Sequence, residues 1–297
     1  MTRVNGPVED LTEPPGTRRR TVVVTGASSG IGLAAAVELA RGGDEVVLVG
    51  RDPARLTAAG QRVHAVCGRA PALFRADFAV LADVRRLAAD LRRAYDRIDV
   101  LANNAGAIVL DPVRTVDGYE LSMQANHLSP FLLTNLLVDR LGRVVNTASA
   151  AHRAGSVDPA DLSAALSRYR AFPAYGSSKL ANILFTAEAA RRWPHLPSYC
   201  FHPGVVRSRF AHDSPLIAWG MKIAPFLRSP DRGADTLVWL ARQDPAGLVS
   251  GGYYIDRRPR RPKPPGRDPE LAARLWEASA RAVGLTFDGP AEQPVTG

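Results

Sequence analysis

An α/β fold is predicted here: a doubly wound parallel sheet of about seven strands with helices on both faces. Three observations carry that expectation. Short apolar, β-branched runs recur without polar alternation, as strands buried on both faces require. Stretches of helical pattern separate them, the alternation that builds a parallel sheet. The first run, Thr21 to Val24, leads directly into Thr25-Gly26-Ala27-Ser28-Ser29-Gly30-Ile31-Gly32, a glycine-rich turn opening a helix. A strand, such a turn and a helix start make a site for phosphate.

The elements follow in order. Ile31 to Arg41 is helical in pattern, and Gly42-Gly43 suit its C-terminus. Val46 to Val49 is the second strand, and Asp52-Pro53 then reads as an N-cap with proline at the first helical position. Ala72 to Ala76 is a weaker strand, Val80 to Tyr95 a helix and Ile98 to Ala102 the fourth strand. Gly118 to Leu141 carries a long helical pattern interrupted near Ser129-Pro130. Arg143 to Thr147 is a strand, Tyr175 to Arg192 a helix and Ser198 to Phe201 a strand. Arg232 to Ala241 reads as a helix and Gly252 to Ile255 as the last strand. No repeat of solenoid period is present. One domain over 19–284 is expected, with loosely ordered tails at 1–18 and 285–297.

Composition narrows the class. Hydrophobic residues at 46% and charged residues at 23% suit a soluble protein with a large core. Cys67 and Cys200 lie far apart and the six histidines are scattered, so neither a disulfide framework nor a zinc site is expected. Met1 to Arg20 lacks the apolar core of a secretory signal. The longest apolar run, Pro215 to Leu227, is broken by Lys222 and too short to span a bilayer, so no transmembrane segment and a cytoplasmic location are expected. A net charge of +9 raises the question of a nucleic-acid partner. The arginine clusters at Arg18 to Arg20 and Arg257 to Lys263 flank the motif-bearing body, however, and read as solvated segments. No nucleic acid is expected; steeply salt-dependent binding would be its signature.

Two motifs carry chemistry. In Tyr175-Gly-Ser-Ser-Lys179 the tyrosine and one of only three lysines lie four apart, hence one turn apart on a single helix face. A phenol holds its proton to about pH 10, and a neighbouring ammonium favours the phenolate, which would make an acid/base centre. In the glycine turn, Gly26 takes the sharp bend, Gly30 lets a diphosphate approach the backbone and Gly32 lets helix and strand pack closely. The second strand ends in Val49-Gly50-Arg51: Gly50 supplies no carboxylate for a ribose 2′-hydroxyl, and Arg51 supplies a cation for a 2′-phosphate. The pattern favours NADP over NAD, with Asp52 left as a helix cap.

With both motifs placed, the chain resembles the short-chain dehydrogenase/reductase family from about Thr21 to Leu285, and a Rossmann-type sheet is implied. The resemblance makes Asn126, Ser149, Tyr175 and Lys179 the catalytic set, with Asn126 holding a water that relays protons to Lys179. For the cofactor it implies Gly26, Ser28, Ser29, Gly30, Ile31 and Gly32 in the first loop, Arg51, and Asp77 and Phe78 after the third strand. Asn103, Ala105 and Gly106 of Asn103-Asn104-Ala105-Gly106 join them, as do Tyr175, Lys179, Pro203, Gly204, Val206 and Ser208. Within the family the chain is most similar to the retinol dehydrogenase-like group. Asn126-His127-Leu128, Ala151-His152, the Lys179-Leu-Ala-Asn182 segment and Arg274-Leu275-Trp276-Glu277 carry that likeness. Three departures stand out: 26 residues separate Ser149 from Tyr175, Ala148 replaces a usual serine, and Ser208 stands where threonine is common.

The expected activity is interconversion of a lipophilic aldehyde or ketone with its alcohol. The apolar segment within about 208–232, including Leu216, Trp219 and Phe226, would act as a substrate lid, with a subunit contact in a homo-oligomer or a membrane-surface contact as alternatives. A non-catalytic dinucleotide-binding regulator on the same fold is the competing expectation, disfavoured by the intact Tyr/Lys/Ser/Asn set.

Overall fold

The computed structural model describes residues 18–163, 166, 169–206 and 227–286. Eight strands form one sheet: β1 Thr21–Thr25, β2 Glu45–Gly50, β3 Ala72–Arg75, β4 Val100–Asn103, β5 Val144–Thr147, β6 Ser198–His202, β7 Tyr253–Ile255 and β8 Arg258–Arg260. Their order is β3-β2-β1-β4-β5-β6-β7-β8, parallel throughout except for the last pair. The helices are α1 Gly30–Arg41, α2 Pro53–Cys67, α3 Leu81–Ala94, α4 Leu121–Met123, α5 Ser129–Leu137, α6 Ala171–Arg192, α7 Pro230–Arg242 and α8 Pro269–Ala282.

Alternation along the buried strands divides the core. Val22, Val24, Leu48, Val100 and Val145 face α1, α2 and α7. Val23, Val47, Val49 and Leu101 face α3, α5, α6 and α8. Both faces of β1 are therefore apolar, which is why its sequence shows no alternation. Strand order reverses between β1 and β4, so a crevice opens beyond Thr25 and Asn103, where open α/β sheets bind their ligands.

Four expectations change. The sheet has an eighth strand, because the arginine-rich segment after β7, though exposed, turns back as a hairpin. Asp256 and Arg257 adopt φ values of 51° and 60°, a two-residue turn built without the usual glycine. Arg257 is held there by Asp235 at 2.8 Å, and Asp256 pairs with Arg228. Second, a C-terminal helix, α8, follows Asp268-Pro269, the same cap signature as Asp52-Pro53; Asp268 accepts from the Glu270 and Leu271 N–H groups at 2.9 Å.

Third, the helical pattern predicted over 118–141 starts at Leu121, and its irregularity precedes Ser129-Pro130 as a π turn over Gln124–Leu128. Fourth, the body reaches past its expected ends. Arg18 pairs with Asp99 at 2.7 Å, and Leu285 packs on the core. The proposed lid lies largely outside the described residues, as does Ser208. Among the described residues no helix is long and apolar enough to cross a membrane.

Candidate active site

The first loop is welded to the fourth strand through one hydroxyl. Thr25 Oγ1 accepts the N–H groups of Asn104 and Ala105, both at 2.9 Å, and donates to Ala102 O at 3.2 Å. Asn104 Nδ2 returns to Thr25 O at 3.0 Å. Sequence reasoning assigned no role to Thr25 and Asn104; a threonine at the sheet's switch point was the available signal.

The glycines fit a bound dinucleotide by what they exclude. Gly26 has φ 66°, and a Cβ there would lie 2.8 Å from Ala105 Cα. A Cβ on Gly32 would lie 2.4 Å from Gly26 O, so α1 approaches the loop more closely than any side chain permits. Ser29 is the N-cap of α1 but its hydroxyl makes no cap hydrogen bond, which leaves the first-turn N–H groups and the helix dipole available to an anion. Ile31 and Val206 meet above α7, where a Cβ on Gly233 would lie 3.1 and 2.6 Å from them. Pro203 is buried, and Gly204 takes φ 83° against Arg228.

At the end of β2, a Cβ on Gly50 would lie 3.4 Å from Ser28 Oγ, so a carboxylate there would crowd the loop. Arg51 is exposed, and its carbonyl accepts from Arg75 Nε at 3.3 Å, which brings a second guanidinium alongside. Asp52 caps α2, accepting from the Arg55 N–H at 3.0 Å; that bond holds its carboxyl below the ordinary range.

Two of the residues proposed for the cofactor turn their side chains elsewhere. Phe78 is buried in the core beneath α3 and α5, and its carbonyl accepts from Ser129 Oγ at 2.6 Å. Asn103 points toward the helix layer of α5, where Nδ2 donates to Thr134 Oγ1 and to Asn146 Oδ1 of β5, both at 2.9 Å. Strand alternation decides this: Asn103 is in register with Asn146 and shares its face, while Asn104 turns to Thr25. Asp77 caps its own loop, accepting from the Ala79 N–H at 3.0 Å.

Four elements converge on the chemistry. Ser149 ends the stretch after β5, its Oγ accepting the Ala151 N–H at 3.2 Å, and its hydroxyl acts on the Tyr175 phenol in the direction that favours the phenolate. Lys179 Nζ lies 5.4 Å from the centre of the Tyr175 ring and donates to Thr147 O at 3.0 Å. α6 begins at Ala171, a turn before the predicted start, so Tyr175 sits on formed helix. A Cβ on Gly106 would lie 3.5 Å from Lys179 Nζ and 2.7 Å from Asn126 Oδ1, so this glycine keeps the loop close to both.

The side chain of Asn126 is fully engaged by protein. Both hydrogens of its Nδ2 are committed, to Ala107 O and Ser178 Oγ at 2.9 Å, and Oδ1 accepts the Ala107 N–H at 2.7 Å. Its side chain thus clamps the loop after β4 to α6. Electrostatics depart from the expectation. Tyr175 is partly exposed, yet the protein on its other sides pushes the phenol up to about 12, with the Ser149 hydroxyl opposing. Burial pushes Lys179 down to about 7. Desolvation acts on both groups and disfavours both charges.

Comparison with known proteins bears on this arrangement. The short chain dehydrogenase family model matches residues 20–215. A Streptomyces sp. (strain C5) protein named "Putative daunorubicin C-13 ketoreductase DnrU" is 51% identical, over 90% of this chain and 93% of its own length. Human retinol dehydrogenase 13 is 36% identical, over 93% of this chain and 88% of that protein. The "putative short chain dehydrogenase" of Escherichia coli CFT073, solved with NADPH, superposes with a TM-score of 0.62 at 27% identity, covering 79% of this chain and 95% of that one. The chain belongs to the short chain dehydrogenase family, and is an NAD(P)-dependent oxidoreductase of the alcohol dehydrogenase and carbonyl reductase type with retinol dehydrogenase-like relatives.

Proposed function

We propose that the protein is an NADP-dependent oxidoreductase of lipophilic ketones or aldehydes and their alcohols, with Tyr175 as acid/base. The observation that carries this is the meeting of Ser149 and Tyr175 at the crevice, with Lys179 behind them. The dinucleotide, when bound, supplies or accepts the hydride. Tyr175 gives its proton to the carbonyl oxygen, and Ser149 donates to the same oxygen as charge develops. Asp77 and the glycine loop would hold the dinucleotide. A single domain would hold this site. The names of the relatives, a ketoreductase and a retinol dehydrogenase, support carbonyl and alcohol substrates of apolar character. Two free cysteines favour a cytoplasmic setting.

NADP is favoured because the end of β2 offers no carboxylate to a 2′-hydroxyl while Arg51, with Arg75 beside it, offers cations to a 2′-phosphate. Replacing Arg51 with Ala is expected to weaken NADPH by about 1–3 kcal/mol and NADH little. Equal losses in a fluorescence titration would show that Arg51 does not recognise the phosphate. The function is tested by following NADPH absorbance over a panel of carbonyls, with apolar ketones and aldehydes expected to give the highest kcat/KM. Highest values for sugars or anionic carbonyls would sink the substrate assignment.

A further inference from the structure

The π turn at Gln124–Leu128 and the proline after it interrupt the helical hydrogen-bond ladder behind the site. Ser129 N–H reaches back to Gln124 O, and Pro130 has no N–H to offer Asn126 O four residues earlier. Asn182 takes that position. Its Nδ2 donates to Asn126 O at 2.9 Å and to Thr147 O at 3.1 Å. Thr147 O is also the acceptor of Lys179 Nζ, at 3.0 Å. Asn182 lies three residues beyond Lys179 on α6, hence on the same face.

The amide is oriented from behind. With both Nδ2 hydrogens directed at carbonyls, Oδ1 faces His127 Nδ1 at 3.4 Å, while His127 Nε2 lies 2.9 Å from Ser279 Oγ on α8. Partner chemistry assigns the protons: Asn182 Oδ1 only accepts, so Nδ1 carries the hydrogen and Ser279 donates to Nε2. Burial pushes His127 down to about 4, which keeps this neutral tautomer across the physiological range. Lys179, Asn182, His127 and Ser279 are all buried, so these bonds meet no competing solvent.

We propose that Asn182, oriented by His127 and Ser279, is the positioning residue for Lys179, and that it couples the C-terminal helix to the acid/base centre. Sharing Thr147 O with a second donor fixes where the Lys179 ammonium sits and limits how strongly that oxygen can retain it. The inference rests on the assignment of Lys179 to catalysis.

With three lysines in the chain, lysine-selective isotope labelling lets NMR follow Lys179 directly in the full-length protein. In Asn182→Leu the neutral donor beside Nζ is gone and Thr147 O serves the ammonium alone. The Lys179 midpoint is expected to rise by about half a unit or more. NADPH-dependent turnover should fall about tenfold or more through misplacement, with NADPH affinity held within about threefold. His127→Phe, which fits beside Phe131 and Phe185, removes the orienting donor and keeps the test alive should Asn182→Leu not fold. It should move both readouts in the same direction, and His127→Asn, with a donor at the δ position, should recover at least about half of each change. An unmoved or lowered Lys179 midpoint with unchanged turnover in the folded variants overturns the proposal. Lys179→Met separates the two assignments: if it loses turnover while the Asn182 and His127 variants keep theirs, the positioning role alone fails. If Lys179→Met is itself normal, the catalytic assignment falls and takes the positioning role with it.

Discussion

Reducing a ketone requires Tyr175 to hold a proton, and its surroundings supply that state. With the phenol pushed up to about 12, it is protonated throughout the neutral range. Lys179 is pushed down to about 7 by burial, which weakens the support its charge gives to the phenolate. The sign of the pH dependence follows. Phenolate is the form that accepts a proton, and below about pH 12 its fraction grows tenfold per unit. Alcohol oxidation should therefore accelerate as pH rises from about 7 to 10, while ketone reduction should not. Initial rates in both directions check this; a reduction rate rising in parallel would remove Tyr175 as the acid. Tyr175→Phe should lower turnover by about a hundredfold or more and spare NADPH binding. Turnover near that of the unaltered protein would exclude Tyr175 from the chemistry.

Among elements, the two that the sequence did not reveal close the C-terminal part of the fold. β8 is an edge strand whose outer surface carries Arg258, Pro259 and Arg260, and charge with proline opposes pairing by another chain. α8 brings Trp276 into an aromatic cluster, 5.0 Å from Phe131, 5.7 Å from Phe185 and 4.9 Å from Trp193 by ring centres. Arg192 lies over the same indole at 4.9 Å. Trp276→Ala should cost about 3–5 kcal/mol, the range for emptying a buried aromatic site. Urea unfolding of the two proteins measures it, and a loss under about 1 kcal/mol would show that α8 is not bound through this cluster.

At the scale of the whole molecule, neutral histidines held partly or wholly inside the protein set the acid limit. His127 and His202 are both pushed down to about 4 by burial, against an ordinary value of 6.5. The unfolded chain therefore binds more protons than the folded one between pH 6.5 and 4, and stability falls as pH drops through that window. For the fully buried His127 the loss approaches about 3 kcal/mol. Urea midpoints at pH 7 and 4.5 should fall for the native chain by more than for His127→Phe; equal falls would mean that His127 does not titrate with unfolding.

Local chemistry determined the order of strands and helices, the glycine turn, the cap at Asp52 and the Tyr175–Lys179 spacing, because each depends on residues a few positions apart. The inward turn of the Phe78 and Asn103 side chains, the hairpin at Asp256-Arg257 and the clamp made by Asn126 were decided elsewhere. So was the upward shift of Tyr175. Each depends on partners brought from distant parts of the chain: Ser129 for Phe78, Asn146 for Asn103, Asp235 for Arg257 and Ser178 for Asn126. Spacing tells which groups share a helix face, but burial sets their charge, and burial exists only once the sheet and its helices have closed around them.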